Sequence, residues 1–118
     1  MGKYVFTAKY SSGSWARLVN GSDDRVATTR SLIESLGGSL EIIYWAAQSG
    51  TAHAIADLPD ELAAKAVVTA VFETGAFASV EAEELLTQEQ LRDTLVLTRS
   101  AQEFYEAPGK PAVDSSYR

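Results

Sequence analysis

Between residues 4 and 10 the chain alternates. Tyr4, Phe6, Ala8 and Tyr10 fall on one side, and Val5, Thr7 and Lys9 on the other. A period of two in aromatic and β-branched residues predicts a strand. The period then changes. Val26, Thr29, Ile33 and Leu36 are spaced 3, 4 and 3 apart, which is one face of a helix. Ser22 can cap that helix with Asp23 and Asp24 in its first turn, and Gly37-Gly38 stops it. Two further strands, Ser39–Ala46 and Thr51–Leu58, flank a tight turn at 47–50 and form a hairpin. Pro59-Asp60 opens a second helix with Ala63, Val67, Ala70 and Val71 facing the core, and Gly75 ends it. Phe77–Leu85 contains a fourth strand. Thr87 and Gln90 form a capping box for a third helix, which runs through Leu91 and Leu95 toward Tyr105 until Pro108-Gly109 breaks it. Residues 11–21 read as a polar loop carrying Trp15 and Arg17. Residues 110–118 read as a flexible tail.

The order β-α-β-β-α-β with a C-terminal helix predicts an α+β, ferredoxin-like fold. Right-handed crossovers put the first and third strands in the middle of an antiparallel sheet, with both helices on one face. The other face is left bare, and Val5, Ile43 and Ile55 are expected on it. A small sheet with an uncovered apolar face is expected to bury it against a second copy, giving a homodimer of the dimeric α+β barrel type. Residues 1–95 form the expected domain, and 96–118 are a helical extension and tail.

Composition narrows the function classes. The 118 residues are 46% hydrophobic and 22% charged, with a formal net charge of -6. That balance argues against nucleic acid, which needs a basic footprint, and gives no reason to expect an anionic membrane. There is no cysteine, so disulfides, thiolate metal sites and a cysteine nucleophile are excluded. Lysine interrupts any apolar run at the N-terminus, and no window approaches the roughly 20 apolar residues of a membrane span. A cytoplasmic location is expected.

Four segments carry a family resemblance: "KYVFTAKYSS", "IESLGGSLEIIYW", "IADLPDELAAKAVVTAV" and "LLTQEQL". In this order and spacing the chain resembles the GYD-domain proteins, from about Lys3 to about Leu95. The resemblance implies a small bacterial ferredoxin-like protein. It also implies a Gly-x-Tyr-Asp-like element at the hairpin before the third strand. Here that element falls on Gln48-Ser49-Gly50-Thr51, with Gly50 and Thr51 in the tyrosine and acid positions. No functional residue of the family carries over.

Candidate chemistry centres on His53, the single histidine, set among Ala52, Ala54 and Ala56. A histidine works as an acid or base near neutral pH, or simply fills a strand. Small neighbours leave room for a cavity or for close helix packing. Tyr10 and Tyr44 are candidate partners of His53 in catalysis. Thr7, Trp15, Arg17, Arg25, Trp45 and Phe104 are candidate substrate contacts, with Trp15 equally able to staple its loop to the core. Arg25 suits an anionic or enolate oxygen, an ordinary surface arginine being the alternative reading. Glu81 and Glu83 share a strand face, where a solvated edge is the expected reading and a metal site is not. No phosphate loop, dinucleotide fingerprint, nucleophile elbow or zinc motif appears, so no cofactor is expected. By fold-level analogy, one reading is a cofactor-independent enzyme acting by acid–base chemistry. It would dehydrate, cyclise or add to an apolar, enolisable metabolite such as a polyketide intermediate. The other reading is a non-catalytic dimeric ligand-binding or regulatory module.

Overall fold

A computed structural model gives the architecture and describes residues 1–109. The tail expected at 110–118 lies outside the described residues. In chain order the elements are β1 (Gly2–Tyr10), α1 (Ser12–Asn20), α2 (Arg25–Ser35), β2 (Ser39–Ala46), β3 (Thr51–Leu58), α3 (Glu61–Phe72), β4 (Phe77–Leu85) and α4 (Gln88–Gln102). The sheet is antiparallel with order β2-β3-β1-β4. The expected α+β ferredoxin-like arrangement is present, with β1 and β3 central. No described helix is long and apolar enough to cross a membrane. The chain divides into two compact units, Met1–Leu85 and the segment from Leu86 onward.

One element was not foreseen. Residues 12–20 are a helix, not a loop. Ser11 caps it by accepting the Ser14 N–H at 3.2 Å. Serines and a glycine give the segment poor helix propensity, so packing must hold it. Trp15 supplies that packing. Its ring lies 5.4 Å from that of Tyr10, and the indole covers Gly50.

The cap of α2 also differs from expectation. Asp24, not Ser22, is the N-cap, accepting the Ala27 N–H at 3.0 Å, while Asp23 turns aside to pair with Arg25. At the other end Gly38 N–H returns to the Ile33 carbonyl at 3.0 Å. A Cβ on Gly38 would sit 2.2 Å from the Asp57 carbonyl oxygen, so only glycine fits where α2 meets the sheet. Asp60 caps α3 as expected from Pro59-Asp60.

Register decides which residues face the helices. Directly paired residues of antiparallel strands share a face. Tyr4, Phe6 and Ala8 pair with Ala56, Ala54 and Ala52, and these join Ile33, Leu58, Ala64 and Val67 in the core or line the space beside it. Val5, Thr7 and Lys9 pair with Ile55, His53 and Thr51 on the opposite face. A bulge between Leu40 and Ile42 shifts β2 by one residue. Ile42 therefore pairs with Ile55 on the outer face, and Ile43 turns inward beside Ala54. This corrects the expectation that Ile43 lies on the bare face.

In the second unit, Thr87 and Gln90 make the expected capping box, with Thr87 N–H donating to Gln90 Oε1 at 2.9 Å and Gln90 N–H to Thr87 Oγ1 at 3.2 Å. The helix ends at Gln102, short of the expected Tyr105, so Phe104 lies past it.

Candidate functional site

The space between sheet and helices is filled differently at its two ends. At one end Tyr4, Ala56, Leu58, Ala64 and the half-buried Leu36 and Leu40 pack closely. At the other end a cavity of about 660 Å³ remains. Its floor is Ala8, Ala52 and Ala54. Alanines here leave a gap that leucines or valines would fill. Thr28, Thr29 and Leu32 of α2 and Val67, Ala70 and Val71 of α3 close over that floor. This volume falls in the range of small-molecule sites.

The mouth of the cavity is polar. Tyr10, Trp45, Arg17, Ser14, Asp23 and Arg25 all line it. The Trp45 indole N–H reaches the Tyr10 hydroxyl at 3.5 Å, and the Tyr10 ring also packs on Phe77 with centroids 4.6 Å apart. Arg25 donates to Asp23 at 2.8 Å. Partial burial pulls the Arg25 pKa down. The hydrogen bond and charge of Asp23, with the Tyr10 hydroxyl, outweigh that and raise it overall. Arg25 thus stays charged beside the opening. Arg17 donates to Ser14 Oγ at 3.1 Å.

The sequence-derived candidates separate into groups. Tyr10, Arg17, Arg25 and Trp45 come together at the cavity. Trp15 is outside the lining and acts as the staple that sets α1, which carries Arg17 and Ser14, against β1. Thr7, Tyr44 and His53 form one cross-strand row on the face turned away from α2 and α3. His53 therefore does not border the cavity. Phe104 belongs to the second unit, where it is 89% exposed. Glu81 and Glu83 pair with Thr7 and Val5 on that same outer face. Among the described residues no cluster of three or more histidines, cysteines or acids is placed to hold a metal.

Of the cavity's polar rim, the sequence reading did not single out Ser14 and Asp23, and it assigned Ala70 of the lining to the core. The signal for Ser14 was available in the spacing of Ser11, Ser14 and Leu18, which places a cap and an inward face on one short helix. Asp23 was read as a dipole partner, and only the position of the true cap frees it to hold Arg25.

The GYD domain profile matches residues 4–95, from β1 into the first turns of α4. The chain belongs to the GYD-domain family. No curated protein matches the chain. In this GYD-domain protein the hairpin element Gln48-Ser49-Gly50-Thr51 is tied to the end of β1. Tyr10 N–H donates to the Gly50 carbonyl at 2.9 Å, and Lys9 Nζ to the Ser49 carbonyl at 3.2 Å. The element thus anchors the strand end on which Tyr10 stands.

Proposed function

We propose that this GYD-domain protein binds a small, largely apolar molecule with one polar end. The cavity carries this reading: an alanine floor under two helices, opening at a rim of Tyr10, Trp45 and two arginines. The ligand's hydrocarbon body would rest on the floor and its oxygens would meet the rim. N-phenyl-1-naphthylamine, a neutral dye that brightens in apolar sites, is the probe. It should bind the wild type and be excluded by Ala70→Phe, which fills the space from α3, in a variant whose circular dichroism is unchanged. A dye that does not bind, or that binds both proteins alike, would overturn the reading.

The juxtaposition of Tyr10 with Arg25 favours a second reading at the same place. A cation beside a phenol can hold an enolate oxygen while the phenol moves a proton. Dehydration, cyclisation or conjugate addition on an enolisable substrate asks for little more, and His53 would not take part. Wild type should speed deuterium exchange at the central carbon of an aryl β-diketone above the buffer rate. Tyr10→Phe should lose that acceleration and His53→Ala should keep it. Exchange at the buffer rate with wild type would confine the cavity to binding.

A further inference from the structure

Building on the binding reading above, we propose that the cavity selects a monoanion, with Arg17 and Ser14 of α1 as its reader. Three charged residues line the cavity: Arg17, Arg25 and Asp23. Asp23 is committed to Arg25 at 2.8 Å, so two positive charges less one negative leave one. The remaining charge is Arg17. Among the described residues it makes no ion pair, and its guanidinium donates to the neutral Ser14 hydroxyl.

Ser14 supplies a second, independent sign. It is only 7% exposed. Its hydroxyl oxygen accepts from Ser11 Oγ at 2.9 Å and from Arg17 at 3.1 Å. The pair of serine hydroxyls has two protons and one bond between them. One proton is therefore left without an acceptor among the described residues. A buried hydroxyl rarely stays unspent. A ligand oxygen at the mouth would accept from both Ser14 and the Arg17 fork, and the fork fits a planar carboxylate through two parallel bonds. The chain as a whole carries a net charge of -6. Its long-range field repels anions, so the attraction has to be local and specific.

The ligand class is then an apolar, often aromatic, body ending in one carboxylate or in an equivalent enolate or phenolate. A matched pair of competitors tests this: 2-naphthoate and the neutral 2-naphthamide, each displacing N-phenyl-1-naphthylamine. In wild type the carboxylate should compete at concentrations at least about tenfold lower than the amide, in line with a charge-assisted bidentate contact. Arg17→Gln should close that ratio to within about twofold. Arg17→Lys should restore part of it, and Ser14→Ala should narrow it. Equal competition by the two compounds in wild type, or a ratio that survives Arg17→Gln, would overturn the anion assignment while the cavity reading stands. Failure of the dye itself to bind would remove both. Because each ratio is measured within one protein, a variant that is merely less stable cannot imitate the expected result.

Discussion

Gly50 shows how one residue can decide what its neighbours do. Its φ is +66°, a conformation that L side chains rarely adopt, and a Cβ there would touch the Trp15 indole at 3.4 Å. The position that the family resemblance assigns to tyrosine is thus held by glycine, and an aromatic ring comes to it from α1 instead. Gly50→Ala should cost about 1–2 kcal/mol from the backbone alone, measured by urea unfolding. Trp15→Ala should cost about 2 kcal/mol, less than a fully buried tryptophan because the ring is half-buried. It should also weaken carboxylate competition, because α1 then loses its anchor and Arg17 its position. An effect on stability with unchanged competition would show that α1 is held by something else. Trp15 was legible as either a ligand contact or a staple. Which of the two it is was not, because one partner is a glycine 35 positions away that offers no side chain to read.

At the scale of elements, strong periodicity transferred well and short or irregular segments did not. β2, β3 and the turn between them lie where alternation and turn residues place them, and the capping box starts α4. The bulge in β2 is invisible to alternation, since Ile42 and Ile43 are interchangeable until the partner strand fixes the register. That single step also hides which candidates share the cavity: Trp45 joins Tyr10 there, while Tyr44 goes with His53. The strand pair β1–β3 carries a pH prediction of its own. Burial, with the nearby Glu84, Glu61 and Asp60, raises the Tyr4 pKa. The hydrogen bond to Glu41, aided by Asp57 and opposed by burial, raises that of Lys3. Both groups hold their proton more tightly folded than unfolded. Their contribution is complete below the unfolded values, about 10 for each, and is lost as pH rises through the higher folded ones. The urea midpoint should therefore fall above about pH 10, and Tyr4→Phe should make that fall shallower. An equally steep fall in Tyr4→Phe would assign alkaline unfolding to other groups.

At the scale of the whole molecule, the outer face of the sheet is apolar at its centre. The helices of the first unit cover the side bearing Tyr4, Phe6 and the alanines. The other side presents half-buried Val5, Ile42 and Ile55 at its centre, with Thr7, His53 and Tyr44 beside them and Tyr44 63% exposed. Lys9 stands on β1, and Glu81 and Glu83 on β4, on this same side, where Lys3 is already paired with Asp57 and Glu41. Opposite charges flanking an apolar centre can be set against each other by a twofold axis, because such an interface repeats one patch on both copies. We propose that a second copy of the chain occupies this face. Light scattering on purified protein should then give twice the chain mass of 12.7 kDa. Ile55→Asp should reduce it to one chain, since a carboxylate buried without a partner is costly at the centre of an interface. The same arrangement gives His53 a place that needs no chemistry: packed with Thr7 and Tyr44 where the two copies meet. His53→Ala should accordingly shift the dimer's dissociation midpoint while dye binding in the cavity stays as in wild type. A monomeric wild type would leave the face to some other occupant, and a His53→Ala variant that lost dye binding instead would couple this face to the cavity through the one strand, β3, that lines both.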